Sequence, residues 1–392
     1  MNANSIAMRQ AEPDTAPQSQ LRIALFSGNY NIVRDGANKA LNRLVDFLLE
    51  RGAAVRIYSP TTDRPAFAPS GDLVSVPSLP IPRRSDYRLA LGLTAAIRAD
   101  IRRFRPTHFH LSCPDLLGTQ AQMFARELGV PVVASMHTRF ETYFRYYGLG
   151  FLAPLVERRL RKFYARSDLV LAPNAPIAAE LRAGGFARQI RIWGRGVDRE
   201  LFNPSRRSRQ WRRARGFAED EIVILFFGRL VREKGLGQFE AAIAELRRRG
   251  HRIRPLVVGD GPERAGLEAR LGDAVFTGHL EGPALAEAVA SADILVNPSL
   301  TEAFGNVILE AMASGLAVVS ADASSARALI GDHAAGMLVA RDDAGAYADA
   351  VEQLIRSPSR RRLLAAAAVL ASAAFTWSDV LGSVLDCYVA MG

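Results

Sequence analysis

The stretch DILVNPSLTEAFGNVILEAMASGLAVVSAD, residues 293–322, contains a complete strand–helix–strand unit. An apolar run, DILVNPS, leads into a polar turn, a helical pattern that begins near Gly305, and a second β-branched run, LAVVSAD. Such runs alternating with helical patterns are typical of a parallel sheet covered by helices. The stretch therefore predicts an α/β fold, and it places two carboxylates, Glu302 and Glu310, on either side of the predicted helix start.

The same alternation extends over nearly all of the 392 residues. The first half begins with LRIALFS and the helix GANKALNRLVDFLLERG, and the second begins with EIVILFFG. Between them, GVDRELFNPSRRSRQWRRARGFAEDE interrupts the pattern, and its proline and arginines favour an exposed connection. We predict a disordered tail, two Rossmann-like domains whose parallel sheets face each other across a cleft, and a C-terminal helix that packs back on the first domain. Their predicted bounds are 1–20, 21–198, 199–376 and 377–392.

Composition limits the partners and the compartment. The chain is 49% hydrophobic and 23% charged, with a formal charge of +10 and a pI near 10.1. Nucleic acid, anionic lipid or a phosphorylated small molecule could complement this charge.

Two separated cysteines, Cys113 and Cys387, suit a reducing cytoplasm. The start lacks the apolar run of a signal peptide, and the run at 363–375 is shorter than the roughly 20 residues that span a bilayer. We therefore expect a cytoplasmic protein without a membrane span.

The two glutamates lie where a phosphate could bind. The first N–H groups of a helix are unpaired and carry the positive end of its dipole, which suits an anion. Gly305 removes a side chain from the approach, and Glu310 lies about 7.5 Å further along the axis. Each acid could then hold hydroxyl groups on one side of the phosphate. Alternatively, Glu302 complements the helix dipole and Glu310 pairs with an arginine.

A second motif, FFGRLVREKGL at 226–236, places Arg229 and Lys234 after another strand end. Two cations at this edge can neutralise a diphosphate and stabilise it as a leaving group. The alternative is that these are ordinary solvated residues, which is what we expect of Arg232 and Glu233.

A third motif, VGDGPERAGLE at 258–268, is a strand–turn–helix pattern. Gly259 and Gly261 permit a tight turn where a nucleotide base could lie. The chain has neither a G-x-G-x-x-G helix start nor a G-x-x-x-x-G-K-[ST] loop, which excludes the dinucleotide fingerprint and the P-loop.

The first half offers weaker signals. Gly28 and Gly36 in SGNYNIVRDGANKA would let the backbone approach a ligand. His137 follows a strand end, although a lone histidine is more often structural. His108 and His110 share one strand face without a supporting cysteine or carboxylate cluster, and the chain has no D-x-D triplet, so no metal ligands are evident.

These motifs, together with FTGHLEGPALAEAVASADILVNPS and TEAFGNVILEAMASG, resemble the retaining GT-B glycosyltransferases of glycosyltransferase family 4. The resemblance covers nearly everything from Leu21 to the C-terminus. HTRFETYFRYYGLGFL and IRIWGRGVDRELFNPSRRSRQWR are similar to a narrower branch of GDP-mannose-dependent α-mannosyltransferases and sulfoquinovosyl or diacylglycerol glycosyltransferases, which often act on membrane lipids. One departure is ADASSARALI after the strand AVVS, where relatives usually carry a glycine pair before a helix. This departure puts the local loop shape in question.

The resemblance implies roles for residues at matching positions. Glu302 would contact the hydroxyls of the donor sugar, Glu310 the ribose, and Arg229 and Lys234 the diphosphate. His137 would lie against the transferred sugar near its anomeric carbon. Of these, His137, Glu302, Arg229 and Lys234 form the implied catalytic set. The implied donor-binding residues are Gly36, Arg229, Lys234, Gly259, Phe304, Gly305, Asn306, Val307 and Glu310.

The resemblance implies retaining, front-face transfer of a hexosyl group from GDP-mannose or a UDP-hexose, without metal or other cofactor. The acceptor would be a membrane lipid such as a glycerolipid. RFETYFRYY and ERRLRKFYARS interleave arginines with aromatics, so we expect a peripheral protein on the anionic inner face of the cell membrane and no nucleic-acid partner. The alternatives are a nucleotide-sugar 2-epimerase and a non-catalytic protein that binds nucleotide sugars or nucleic acid.

Overall fold

The computed structural model describes residues 21–33, 35–81, 84–137, 151, 153–331, 334–339 and 343–392. Internal contacts divide the chain into two compact units, Met1–Val132 with Leu385–Gly392, and Val133–Val384. The domain bounds expected from the sequence stay a prediction.

The first sheet is built from parallel strands, as the alternating pattern indicated. Its strands are β1 (Arg22–Phe26), β2 (Ala54–Ser59), β3 (Asp72–Ser75), β6 (His108–Leu111), β7 (Val132–Ser135), β8 (Leu169–Ala172) and β9 (Ile190–Ile192), in the order β3-β2-β1-β6-β7-β8-β9. Strand β1 pairs in parallel with β2 and β6, and β8 pairs in parallel with β7 and β9. All residues of β6, β7 and β8 are buried, because helices cover both faces of a parallel sheet.

A separate antiparallel hairpin was not predicted from the sequence. It joins β4 (Ser78–Ile81) to β5 (Arg84–Ala90), with Leu79 opposite Leu89. Both leucines are about half exposed. The segment SLPIPRRSDYRLA has two prolines and no continuous apolar run, so it lacks the signal of a buried strand.

The helices that accompany the first sheet are amphipathic. They are α1 (Gly36–Glu50), α2 (Ala95–Phe104), α3 (Leu116–Leu128), α4 (Ala153–Ala165) and α5 (Ala175–Ala183). In α1, Leu41, Leu44 and Leu48 are buried at helical spacing, and the Asp35 side chain accepts a hydrogen bond from the amide of Asn38 at 2.7 Å. A buried apolar face and a capped first turn account for this helix.

The second sheet is also parallel, with the order β12-β11-β10-β13-β14-β15. Its strands are β10 (Ile222–Phe227), β11 (Ile253–Val258), β12 (Val275–Gly278), β13 (Ile294–Asn297), β14 (Ala317–Ala321) and β15 (Met337–Val339). Alternate residues of β10 enter different core clusters, Val223 and Leu225 in one, Ile224 and Phe226 in the other. Both faces are therefore buried, which explains why these strands appear as continuous apolar runs.

The remaining α-helices of the described residues lie between Arg209 and Val389. They are α6 (Arg209–Ala214), α7 (Leu236–Arg248), α8 (Arg264–Leu271), α9 (Gly282–Ala290), α10 (Asn306–Ala313), α11 (Ser324–Ala326), α12 (Ala344–Arg356), α13 (Pro358–Ser372) and α14 (Trp377–Val389). The segment ADASSARALI, which differs from the family pattern, contains α11 and continues as a π-helical turn, Arg327–Gly331. The strand–helix–strand prediction for residues 293–322 is confirmed by β13, α10 and β14.

The prediction that residues 196–221 form an exposed connection is partly wrong. Within it, Trp211 and Arg212 of α6 are only 6% and 5% exposed. The Arg212 guanidinium lies 3.1 Å from the Asp293 carboxylate and donates to the Glu221 carbonyl at 2.6 Å. An arginine-rich run resembles a solvated linker in sequence, but a paired guanidinium can be buried.

The C-terminal helix carries a buried tyrosine that contacts both strand histidines. The Tyr388 hydroxyl is hydrogen-bonded to His110 Nδ1, and its ring meets that of His108 at a centroid distance of 5.5 Å. Burial lowers the pKa of His110 to about 3 and also lowers the pKa of His108. Both histidines are therefore neutral groups that pack against the end of the chain.

One segment of the described chain, Pro358–Val389, is long and apolar enough by composition to cross a membrane, and 11% of its most apolar window is buried. It comprises two helices, α13 and α14, each shorter than the roughly 20 residues that a span needs. Leu363 and Leu370 of α13 are 72% and 76% exposed, so this side of the alanine-rich helix lies at the surface.

Candidate active site

The carboxyl end of β10 leads directly into the predicted cations. Gly228 has φ +144°, Arg229 is exposed, and the 3₁₀ turn Arg232–Lys234 follows. Gly235 then adopts a left-handed conformation with φ +74°, and a Cβ there would lie 2.7 Å from Pro298 Cβ, in the loop after β13. The first turn of α7 is thus packed tightly against the loop that carries Glu302.

The predicted turn that contains Gly259 and Gly261 packs directly against the backbone of residues 228–230. The Gly228 amide donates to the Val258 carbonyl at 2.9 Å, and the Leu230 amide donates to the Asp260 carbonyl at 2.9 Å. A Cβ on Gly259 would lie 1.9 Å from the Gly228 oxygen, and one on Gly261 would lie 2.3 Å from the Leu230 oxygen. Close packing against the neighbouring backbone therefore requires a glycine at both positions. The donor-binding role of Gly259 stays a prediction.

The loop after β13 brings Glu302 to Lys234. Their side chains form an ion pair, with 20% of Lys234 and 18% of Glu302 exposed. The neighbouring Thr301 hydroxyl donates to the Glu233 carbonyl at 3.3 Å, which holds the acidic loop against the 3₁₀ turn. The pair is therefore mostly buried but keeps some solvent access.

The start of α10 is shaped as the sequence predicted. Gly305 has φ +95° and precedes Asn306, and among the described residues no side chain caps the helix. Its first amides lie at the positive end of the dipole. Asn306, Val307 and Glu310 are partly exposed. Their roles at a phosphate and a ribose stay predictions.

Phe304 has a different environment from its neighbours. It is 7% exposed and meets the Phe375 ring edge-on at a centroid distance of 6.3 Å. A Cβ on Gly194 would lie 3.2 Å from the Phe304 ring. The buried ring therefore anchors the loop against Phe375 and Gly194, and its contact with the donor stays a prediction.

One neighbouring residue was misassigned. Glu233 was expected to be solvated, but it is 7% exposed, because its turn is covered by the loop that carries Thr301. Arg232 is 76% exposed on its side chain and lies 2.9 Å from Glu263, as expected of a solvated residue.

His137 lies two residues beyond β7, in the same unit as Glu302. Its Nε2 is 2.8 Å from Ser135 Oγ, and its Nδ1 is 2.9 Å from a guanidinium nitrogen of Arg195. Gly36 is the first residue of α1, in the other unit, and its predicted role at the phosphates stays a prediction.

In the part of the chain that the structure describes, no group of three or more His, Cys, Asp or Glu side chains is arranged to hold a metal ion. The expectation of a metal-free reaction stays a prediction.

Sequence reasoning missed two polar residues that support this region, Asn174 and Arg195, which are both 4% exposed. Asn174 accepts from the Ile177 amide at 2.9 Å as the N-cap of α5, and its Nδ2 donates to the Ala303 carbonyl at 2.8 Å. The sequence NAP before a helical pattern indicates an N-cap at Asn174. No local pattern predicts the second hydrogen bond, to Ala303, which is 129 residues away.

We predict that Asn174→Ala lowers kcat/KM of the reaction at this site about 10-fold, because the carbonyl next to Glu302 loses its anchor and small displacements of reacting groups are costly. Loss of the cap should also cost about 1 kcal/mol of stability. Asn174→Ser separates the two effects, since serine retains the cap but cannot reach Ala303. Steady-state kinetics and urea unfolding of both variants measure this, and full activity in Asn174→Ser would refute the anchoring role.

Two family models match the chain. Glycosyltransferase Family 4 matches residues 34–201, and Glycosyl transferases group 1 matches residues 221–357. A GDP-mannose-dependent alpha-mannosyltransferase of Mycolicibacterium smegmatis is 33% identical over 379 residues, covering 95% of this chain and 98% of the relative. The chain belongs to glycosyltransferase family 4. It is therefore an enzyme, and the enzyme expected from the sequence is confirmed as a glycosyltransferase.

Other relatives carry different sugars in their names. Sulfoquinovosyl transferase SQD2 of Arabidopsis thaliana is 34% identical over 309 residues, which cover 77% of this chain and 60% of the relative. Alpha-monoglucosyldiacylglycerol synthase of Streptococcus pneumoniae is 26% identical over 353 residues, with 86% and 79% covered.

Solved structures confirm the fold. Sucrose-phosphate synthase from Thermosynechococcus elongatus superimposes with a TM-score of 0.76 at 21% identity, covering 94% of this chain and 98% of that one. HepE from Anabaena, solved with UDP and glucose, gives 0.71 at 20% identity, with 94% and 99% covered. The two parallel α/β sheets of this glycosyltransferase are the GT-B fold.

Proposed function

We propose that this family 4 enzyme transfers a hexosyl group, with retention of anomeric configuration, from a nucleotide-diphosphate sugar to a membrane-lipid acceptor. The observation that carries the proposal is the ion pair of Lys234 with Glu302, beside the uncapped start of α10. This arrangement combines a cation, an anion-binding helix end and a hydroxyl-binding carboxylate, which are the groups that a sugar diphosphate needs.

In the proposed complex, the Lys234–Glu302 contact is exchanged for contacts with the donor. Lys234 and Arg229 bind the diphosphate, together with the first amides of α10. Glu302 accepts hydrogen bonds from sugar hydroxyls, and Glu310 from the ribose. Lys234 remains between the carboxylate and the phosphates, which limits the repulsion between these anions.

The reaction proposed at this site breaks the bond from the anomeric carbon to the β-phosphate oxygen and forms a bond to the acceptor oxygen on the same face. Negative charge grows on the leaving diphosphate, where the two cations and the helix dipole stabilise it. The acceptor hydroxyl loses its proton to the departing phosphate oxygen, so atoms and charges balance without an enzyme-bound intermediate or a metal ion.

The donor is proposed as GDP-mannose or a UDP-hexose. The name of the relative from Mycolicibacterium smegmatis, which matches over 98% of its length, favours GDP-mannose, whereas the streptococcal relative is named for monoglucosyldiacylglycerol. Its name, which contains a diacylglycerol, also supports a glycerolipid acceptor.

The decisive experiment incubates the purified enzyme with GDP-mannose, UDP-glucose or UDP-galactose and diacylglycerol-containing vesicles. We expect one donor to yield free nucleotide diphosphate and a glycolipid with an α linkage by NMR, and that nucleotide to raise the melting temperature. A β-linked product would refute retention. Conversion of the sugar to its 2-epimer, with no glycolipid, would favour the epimerase reading.

A surface for the lipid bilayer is proposed on α4. Its exposed face carries Arg158, Arg159, Arg161 and Lys162, and Phe151 and Leu155 near its start are 76% and 55% exposed. The other predicted membrane segment, RFETYFRYY, lies outside the described residues. Basic residues beside exposed apolar ones favour an anionic leaflet, which supports a cytoplasmic, peripheral enzyme.

We predict that replacing Arg158, Arg159 and Arg161 together by glutamine lowers binding to anionic vesicles about 100-fold, at roughly 1 kcal/mol per basic residue. Sedimentation with phosphatidylglycerol vesicles at low salt measures the effect. The control replaces Arg248, Arg252 and Arg356, which have side chains 73%, 86% and 71% exposed, and makes the same change in net charge. Equal losses in both variants would reduce the effect to net charge and contradict an α4 surface.

A further inference from the structure

The His137 ring is held at both nitrogens. Arg195 Nη2 lies 2.9 Å from Nδ1, and Ser135 Oγ lies 2.8 Å from Nε2. The Trp193 ring meets the imidazole edge-on, with centroids 4.9 Å apart and an interplanar angle of 79°. Ring position and ring rotation are thus both constrained.

The chemistry of these partners assigns the protons. A guanidinium group has only N–H donors and stays charged, so Nδ1 must accept and cannot itself carry a hydrogen toward Arg195. The neutral ring then has its proton on Nε2, which donates to Ser135 Oγ. A doubly protonated ring would set N–H against N–H and one positive charge against another.

Arg195 is itself immobilised. It is 4% exposed, and its Nη1 donates to the Gly194 carbonyl at 2.8 Å and to the Trp193 carbonyl at 3.4 Å. Its guanidinium carbon also lies 5.3 Å from the centroid of the Trp193 ring. A Cβ on Gly194 would lie 3.2 Å from the Phe304 ring. Residues 193–195 are therefore packed against the loop that carries Glu302.

We propose that Arg195 is a positioning residue that fixes His137 in the neutral tautomer with its proton on Nε2, so that His137 presents a hydrogen-bond donor to an oxygen of the donor substrate. The inference rests on the proposed function. Nε2 faces Ser135 Oγ at 2.8 Å in the structure, and a substrate oxygen would take the place of this hydroxyl.

The assignment restricts the mechanism. In this tautomer Nε2 already carries a proton and Nδ1 is engaged by Arg195, so His137 does not act as the base that deprotonates the acceptor. The proton must go elsewhere, and the departing phosphate is the acceptor already proposed. Arg195 thus contributes to catalysis through the protonation of a neighbour.

The test is a ¹⁵N NMR spectrum of the full chain labelled only at histidine. The chain has six histidines, and His137→Gln identifies the wanted signals. We expect an unprotonated Nδ1 and a protonated Nε2 that do not titrate between about pH 5 and 8. A wild-type spectrum with the proton on Nδ1, or with ordinary titration, overturns the proposal.

Two variants separate positioning from a merely structural role. Arg195→Met keeps an unbranched stem and removes every donor, so His137 should become a mixture of tautomers that titrates near about 6.5. Arg195→Lys retains a charge and a donor and should preserve the wild-type tautomer in part. The groups that face the ring from β7 and from residues 193–195 are Ser135, Trp193 and Arg195, and of these three Arg195 carries the charge. An unchanged His137 spectrum in Arg195→Met contradicts the inference.

Kinetics supply a second readout. Arg195→Met should lower kcat about 10-fold above about pH 6.5, because part of the neutral ring then lacks the proton on Nε2. The loss should be smaller at lower pH, where the doubly protonated ring again donates from Nε2, and Arg195→Lys should recover most of the rate at neutral pH. If Arg195→Met does not fold, the wild-type and Arg195→Lys spectra still show whether His137 has the proposed tautomer. The spectra need no sugar donor, so they can fail while glycosyl transfer is observed, and absent transfer with the expected spectra would fault only the proposed function.

Discussion

Replacing Lys234 by alanine is expected to lower kcat/KM for sugar transfer about 10²–10³-fold. The ammonium group would stabilise the charge that grows on the leaving diphosphate. It is also the ion-pair partner of Glu302, so its loss leaves a carboxylate close to the phosphates without a compensating charge. Steady-state release of nucleotide diphosphate measures the effect, and kcat should fall because the missing interaction belongs to the transition state.

The control for this variant is Arg232→Ala, two residues away. Arg232 is largely exposed and pairs with Glu263, so its loss should change kcat/KM less than two-fold. A folded Lys234→Ala enzyme that retains more than about a tenth of wild-type activity would remove Lys234 from the proposed catalytic set.

A double variant separates the two effects of Lys234. Glu302→Gln alone should lower kcat/KM about 100-fold, because a neutral amide binds sugar hydroxyls less strongly than a carboxylate. Combined with Lys234→Ala, it should cost less than the sum of the two free-energy changes, since the unpaired carboxylate has gone. Strict additivity would indicate that the ion pair has no part in donor binding.

The second large effect concerns Gly259. Replacing it by alanine is expected to destabilise the fold by at least about 1–3 kcal/mol, the cost of a residue in a strained conformation. Its φ is +140°, and the new Cβ would lie 1.9 Å from the Gly228 oxygen. The chain can accommodate the methyl group only by separating the turn from the segment that leads to Arg229. Donor affinity should therefore fall together with the urea midpoint.

A helical glycine in the same unit supplies the comparison. Gly237 lies in α7, and a Cβ there would have nothing within 4 Å. Gly237→Ala should leave the urea midpoint unchanged or raise it, because alanine favours a helix by about 1 kcal/mol over glycine. Gly259→Ala with a wild-type midpoint would contradict the packing that this structure assigns to the turn.

Periodicity and short motifs were sufficient to predict much of the fold and the strand ends that carry the candidate site residues. The buried strands of both sheets carry continuous apolar runs, and the motifs around Lys234, Gly259 and Glu302 follow strand ends in the predicted order. The β4–β5 hairpin and the buried α6 could not be predicted. Prolines and arginines have the same local signature in a solvated loop as in a hairpin or a paired, buried helix.

What the sequence determined by itself is local: strands and helices from apolar spacing, the left-handed turns from glycine, and the set of charged residues at strand ends. What only the tertiary structure decided is which side chains meet. Glu302 pairs with Lys234, Asn174 holds Ala303, and Arg195 faces His137 across separations of 68, 129 and 58 residues. Contacts at such separations depend on how the strands and loops pack together, and no local pattern encodes that packing. The tautomer proposed for His137 rests on one of these contacts, so this part of the proposed chemistry depends on the tertiary structure.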